Sequence, residues 1–166
     1  MDKTELKQRK HPRLKHYDYS TTGAYFVTIC TKNKQPVLST IVGRGLAPAV
    51  ELTGFGEIAQ NNLLLINQRY PYAFAYDFVI MPNHIHAIIV FKEAAGASPR
   101  PTLCDIICAY KSLTTQECKK IAAFDGGLFQ ASFYEHVIRN KHDFAAILKY
   151  LNENPMTWAY DKHYIK

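Results

Sequence analysis

Long apolar runs are what this sequence most plainly lacks. No stretch approaches the roughly 20 apolar residues needed to cross a bilayer. The first twenty residues, MDKTELKQRKHPRLKHYDYS, hold no apolar core of a secretion signal. The expectation is a soluble, cytoplasmic protein with no membrane partner. Cysteine is scarce: Cys30, Cys104, Cys108 and Cys118 are the four, and none forms a C-x-x-C pair. That argues against a disulfide framework and against a thiolate zinc site, so the four are read as small buried hydrophobes. Acidic residues are in the minority, 14 against 20 Lys plus Arg, for a net charge of +6. A modest positive excess favours polyanionic partners, nucleic acid before anionic membrane. No repeat and no second domain is visible. A length of 166 residues, 48% of them hydrophobic, fits one domain with a sizeable core.

What is present divides into a polar start and a patterned body. Residues 1–22 read as a basic N-terminal arm, with Lys3, Lys7, Arg9, Lys10, Arg13 and Lys15 in its first fifteen positions. Such a run is either a phosphate grip or a solvated tail. Residues 23–166 read as a single domain. Ala24 to Thr31 (AYFVTICT) is rich in aromatic and β-branched residues and predicts a buried strand. Residues 32–53, with the run GRGLAPA, show no period and read as a connection. Gly56 to Asn67 predicts a helix. Ala73 to Met81 and His84 to Phe91 predict a hairpin about the Pro82-Asn83 turn. After a second loop (AAGASPRP), Thr102 to Ala123 carries helical spacing at Leu103, Ile106, Ile107, Tyr110 and Leu113. Leu128 to Ile138 reads as mostly extended. A last helix starts near Lys141, capped by Asn140, and stops before Pro155. The order β-α-β-β-α-β-α predicts an α+β domain, an antiparallel sheet with helices packed on one face.

Three segments carry chemistry. His84-Ile85-His86 lies on a predicted strand, where positions i and i+2 share a face, so both imidazoles project together. Such a pair suits a divalent metal, or is simply two polar residues on a half-exposed strand. Tyr150 is one of eleven tyrosines. Its setting, ILKYLNENP, puts it one helical turn before Asn154 on the same face, so a nucleophile and a carbonyl oxygen ligand could address one metal-bound phosphate. The segment FYEHVIRN alternates, with Glu135, Val137 and Arg139 on one side and Tyr134, His136 and Ile138 on the other. Glu135 or His136 is there a ligand, a base or a phosphate contact, or part of a polar edge strand.

Taken together and in this order, MPNHIHAIIV, FYEHVIRN and KYLNENP resemble the REP-associated tyrosine transposases, within the HUH single-tyrosine family that includes small insertion-sequence transposases. The resemblance runs from about Gly23 to Trp158. It implies the HUH endonuclease (ferredoxin-like) fold, with 23–166 as its catalytic domain. It also implies His84 and His86 as metal ligands, Tyr150 as nucleophile and Asn154 as third ligand. Where the insertion-sequence branch carries Gln, this chain carries the shorter Asn. Glu135 and His136 match a glutamate-histidine pair of accessory role. Tyr110, which precedes Lys111-Ser112, fits the apolar stripe of its own helix and ranks below Tyr150. The implied activity is nicking and joining of single-stranded DNA beside foldback hairpins through a 5′-phosphotyrosine, with Mg²⁺ or Mn²⁺. Arg13, Lys15, Arg139, Lys141 and Lys149 would grip the DNA backbone, and a homodimer is left open. Two other readings remain: a non-catalytic hairpin-binding module on the same fold, and a metal-dependent hydrolase that uses water.

Overall fold

The computed structural model describes residues 14–43, 48–93 and 99–164. Its elements in chain order are β1 (Gly23–Cys30), β2 (Ser39–Val42), β3 (Ala49–Leu52), α1 (Gly54–Leu64), α2 (Ile66–Arg69), β4 (Ala73–Met81), β5 (His84–Phe91), α3 (Leu103–Ile121), β6 (Tyr134–Ile138) and α4 (Lys141–Glu153). The fold is α+β. A four-stranded antiparallel sheet has the order β4-β5-β1-β6, and β2 pairs with β3 in a separate hairpin.

The two central strands are buried on both faces, because both faces are covered. Tyr25, Val27 and Ile29 of β1 and Ile85, Ala87 and Ile89 of β5 point to one side and are fully buried. There α1 and α3 pack together. The Tyr110 hydroxyl donates to the Ala59 carbonyl at 3.1 Å, and the buried Asn62 amide donates to Glu117 at 2.8 Å. The opposite face carries Phe26, Thr28 and Cys30 beside Ile88, His86 and His84. It is covered by α4, whose Phe144 meets Tyr76 of β4 edge to face at 5.1 Å. A register shift between Ala75 and Asp77 turns Tyr76 toward that contact. The helices are therefore split between the two faces and not gathered on one. The hydrophobic pattern of α4 shows that it has a buried side, but not which side of the sheet receives it.

Other differences are local. The stretch 32–53 contains a 3-10 turn at Lys32–Lys34 and the β2–β3 hairpin. Strands of four residues give too few alternations to register as a period. The first helix starts at Gly54, capped by Thr53, and breaks at Leu65. Between 128 and 138 only Tyr134–Ile138 is strand, although Phe129 bridges Thr31. Cys108 is exposed and Cys104 half-buried, flanking the buried stripe of α3, so only Cys30 and Cys118 are the buried hydrophobes expected. The described part of the N-terminal arm is attached to the domain. Tyr19 is buried, its hydroxyl donates to Glu135 at 2.5 Å, and its carbonyl accepts from the Leu103 amide. No helix among the described residues is long and apolar enough to cross a membrane.

Candidate metal and nucleophile site

His84 and His86 open β5, at the end of the sheet, and both are buried to within 1%. Their rings lie 4.5 Å apart. The alternation of the strand places them on the α4 face, while Ile85 between them enters the opposite core.

Each imidazole has one nitrogen tied and one directed at the cluster. Nδ1 of His84 lies 2.9 Å from Oδ1 of Asn83. The Asn83 amide nitrogen donates to the carbonyls of His163 (2.7 Å) and Lys34 (3.2 Å), which fixes its oxygen as the acceptor. His84 must therefore carry its proton on Nδ1. Its Nε2 keeps a lone pair, and that atom is buried without a partner. Nδ1 of His86 lies 2.8 Å from the Thr28 hydroxyl on β1, and its Nε2 lies 3.2 Å from the Tyr150 hydroxyl. Such outer partners set the tautomer and aim of a metal-binding histidine. Burial holds both imidazoles neutral, with pKa values lowered to about 3 for His84 and about 2 for His86. Neutral imidazole is the form that ligates a metal.

Tyr150, near the C-terminal end of α4, is 40% exposed. Phe26, stacked on His86 at 5.2 Å, meets the Tyr150 ring edge to face at 6.0 Å. Burial pushes the Tyr150 pKa up, and the nearby Asp161 carboxylate adds to that. Asn154 caps α4 one turn later and is 1% exposed. It opposes the rise at Tyr150 from close by, yet neither of its amide atoms finds a hydrogen bond of good geometry. Two unpaired polar atoms at a buried position are costly unless something polar joins them.

A further member comes from the segment after α4. One ligand atom each from His84, His86 and Asp161 lie within 4.8 Å of one another, the spacing of a candidate metal site. Asp161 is held by its Oδ1, which accepts from the His163 amide at 2.6 Å. The His163 ring lies 4.6 Å from that of His84, its Nδ1 is 3.7 Å from the Cys30 sulfur, and its Nε2 is unpartnered. Two imidazoles, a carboxylate and an orphaned amide are a mixed N/O donor set that fits a divalent cation. Beside them opens a cavity of about 420 Å³, bounded by Phe26, Thr28, His86 and Tyr150 and, from the C-terminal segment, by Thr157, Tyr160, Asp161 and Lys162.

The structure thus brings His84, His86, Tyr150 and Asn154 to one place, together with Asp161, His163, Asn83 and Thr28. The spacing of the sequence motifs gave no sign of these last four, except that Asp161-Lys162-His163 is itself a close pair of ligand-type residues. Glu135 and His136 do not join the cluster as a pair. Glu135 sits opposite Val27 on the α3 side and holds Tyr19. His136 bonds Asp143 at 2.8 Å, at the start of α4. Tyr110 is 2% exposed on the far side of the sheet, with burial pushing its pKa up. Lys15, Arg139, Lys141 and Lys149 are exposed, and Lys149 pairs with Glu153 at 3.8 Å. Arg13 and most of the GRGLAPA and AAGASPRP runs lie outside the described residues.

No family model matches the chain. An uncharacterized protein of Haemophilus influenzae is 30% identical over 96% of this chain and 95% of its own length. A solved REP-associated tyrosine transposase bound to a REP hairpin aligns with a TM-score of 0.63 at 18% identity, over 90% of this chain and 76% of that one. A candidate transposase from Deinococcus radiodurans aligns at 0.51 and 17% identity, over 85% of this chain and 95% of that one. At these identities the two structures share the fold.

Proposed function

We propose that this chain, which belongs to one family with the Haemophilus influenzae protein and has the fold of the REP-associated tyrosine transposase, is itself a single-tyrosine transposase that nicks and joins single-stranded DNA beside foldback hairpins. The observation that carries the reading is the Tyr150 hydroxyl, 3.2 Å from Nε2 of His86 in a cluster with His84 and Asp161. Of the other tyrosines, Tyr110 is buried beyond reach of any strand.

In this reading His84 and His86 hold a divalent cation, Mg²⁺ or Mn²⁺, with Asp161 and Asn154 as the oxygen donors nearest to hand. When bound, the cation supplies positive charge that polarises a scissile phosphate and lowers the pKa of a neighbouring hydroxyl. With its proton on Nδ1, toward the Thr28 hydroxyl, Nε2 of His86 would offer a single lone pair and could not ligate a cation and accept from Tyr150 at once. With a cation held by His84 and His86, the Tyr150 hydroxyl would give up its place at Nε2 of His86 and be left without this partner. The Tyr150 oxygen forms a bond to phosphorus as the bond to the 3′ oxygen breaks. The tyrosine proton passes to solvent in the open cavity, and the departing 3′ oxygen takes a proton from solvent to end as a hydroxyl. The 5′-phosphotyrosine retains the energy of the ester, so a second 3′-hydroxyl can reverse the step and join a new strand. Lys149 and Lys162, exposed at the same end of the molecule, attract the backbone, and Arg139 and Lys141 extend the basic surface along α4. Arg13 and Lys15 of the arm would add to that grip.

The test is a labelled single-stranded oligonucleotide carrying a palindrome, incubated with protein and Mn²⁺ and resolved on a denaturing gel. A covalent adduct with the parent and none with Tyr150→Phe is expected. An undiminished adduct with Tyr150→Phe assigns the nucleophile elsewhere. Hairpin binding without any cleavage by the parent leaves a binding module.

A further inference from the structure

Among the described residues, the exposed tyrosines differ in what they touch. Tyr76 lies against Phe144, and Tyr164 against Trp158 at 5.2 Å. Tyr134, on the edge strand β6, pairs with Thr28 but does not line the cavity beside the metal cluster. Tyr160 is different: it is 92% exposed, and it lines the same cavity as His86 and Tyr150.

Its backbone is fixed even though its ring is free. Residues Trp158–Tyr160 form a 3-10 turn in which the Tyr160 amide donates to Thr157 at 2.9 Å and the Asp161 amide to Trp158 at 3.0 Å. Trp158 faces inward, 5.8 Å from His84, and so orients the turn. The next two residues also line the cavity, Asp161 toward the histidines and Lys162 exposed. The neighbours of Tyr160 along that rim, Thr157, Asp161 and Lys162, are polar, so its ring is an isolated flat apolar surface. The other exposed apolar side chains of the segment, Met156, Ala159 and Tyr164, line a separate groove. A protein partner needs contiguous apolar area around such a ring. A nucleobase needs only its π-face, with a cation near for the phosphate.

We propose that Tyr160 is a stacking platform for a base of the single strand entering the site, and that Lys162 holds the adjoining phosphate. This rests on the transposase reading for the identity of the ligand. Stacking at this position sets the strand across the Tyr150 cavity, so its contribution falls on binding and not on the bond-making step. Because the ring touches almost nothing in the folded chain, its removal leaves the fold intact.

The experiment uses mixed-sequence single-stranded oligonucleotides with 2-aminopurine at successive positions, mixed with protein in EDTA so that no cleavage intervenes. With the parent, fluorescence is quenched at one or two adjacent positions. Tyr160→Ala abolishes that quenching and weakens binding about 10-fold, while Tyr160→Phe and Tyr160→Trp retain both. Tyr160→Ala leaves the salt dependence of binding as it was. Lys162→Ala makes its slope shallower by about 0.7. Quenching and affinity unchanged in Tyr160→Ala overturn the proposal. Adduct formation by the parent is scored separately with Mn²⁺. An adduct with no Tyr160 effect sinks the stacking role and leaves the transposase reading standing. A Tyr160-dependent quench without any adduct does the reverse. A parent that binds no single-stranded DNA removes both.

Discussion

Asn83 does two jobs with one side chain. Its oxygen takes the Nδ1 proton of His84, and its nitrogen holds the His163 carbonyl of the segment that presents Asp161. Asn83→Ala should therefore weaken Mn²⁺ binding about 10- to 100-fold, the usual effect of losing an outer partner of a metal-binding histidine. Isothermal titration measures it. Asp161→Asn and Asn154→Ala separate the two candidate oxygen donors. If the carboxylate is a ligand, Asp161→Asn lowers Mn²⁺ affinity at least about 10-fold, and an unchanged affinity leaves Asn154 as third donor. A divalent ion that binds the fold should also raise the melting temperature of the parent. That increment should vanish in His84→Ala. At Tyr19, loss of the hydroxyl in Tyr19→Phe removes a hydrogen bond to the Glu135 carboxyl group and should cost about 1.5–3 kcal/mol on denaturant unfolding. Adduct formation should be unaffected, since Glu135 faces away from the cluster.

At the level of elements, α1 meets the β2 approach through a glycine. A Cβ on Gly56 would collide with the Leu38 carbonyl, which itself accepts from the Thr53 amide and hydroxyl. Gly56→Ala should destabilise the domain by about 1–3 kcal/mol, as overpacking does, read from the denaturation midpoint. A melting curve like that of the parent would mean the helix can withdraw without loss. This contact illustrates what the residue pattern could and could not convey. The strands β1, β4 and β5 were legible because they run to eight or nine residues rich in aromatic and β-branched side chains. The cap Asn140 was equally plain: its side chain accepts from the third residue of α4. The pairing of His84 with His86 followed from strand geometry alone. The short β2–β3 hairpin left no period to detect, and the face that receives α4 depends on a bulge at Tyr76 that no local rule marks. Tyr150 was singled out by its helix and by the likeness of that helix to a known family. Asp161 stayed hidden because a candidate ligand delivered by a turn has no periodicity to betray it.

For the molecule as a whole, the buried histidines make stability depend on acid. In the fold they stay neutral down to about pH 3 at His84 and about pH 2 at His86, whereas their ordinary value is 6.5. Between those limits the unfolded chain binds more protons than the folded one, so protons favour unfolding. Stability is unaffected by these groups above about pH 7 and declines as pH falls through 6.5 toward 3. Melting curves recorded in EDTA should show that decline, and His86→Gln should make it shallower. A variant as acid-sensitive as the parent would mean that His86 is not the group responsible. If His84 and His86 hold a divalent cation as proposed, protons and the cation compete for the same imidazoles, so added Mn²⁺ should shift the onset of the decline to lower pH. The chain order of the site has another consequence. The imidazoles at 84 and 86 sit mid-chain, the tyrosine at 150 follows, and the carboxylate at 161 follows that. On the ribosome the histidine strand is made well before Asp161 emerges, so a nascent chain stalled short of residue 161 lacks the carboxylate that stands beside the two imidazoles. If the proposed nicking activity needs that carboxylate, it would be withheld until synthesis has passed residue 161, and messages broken upstream would yield protein unable to nick the cell's own genome.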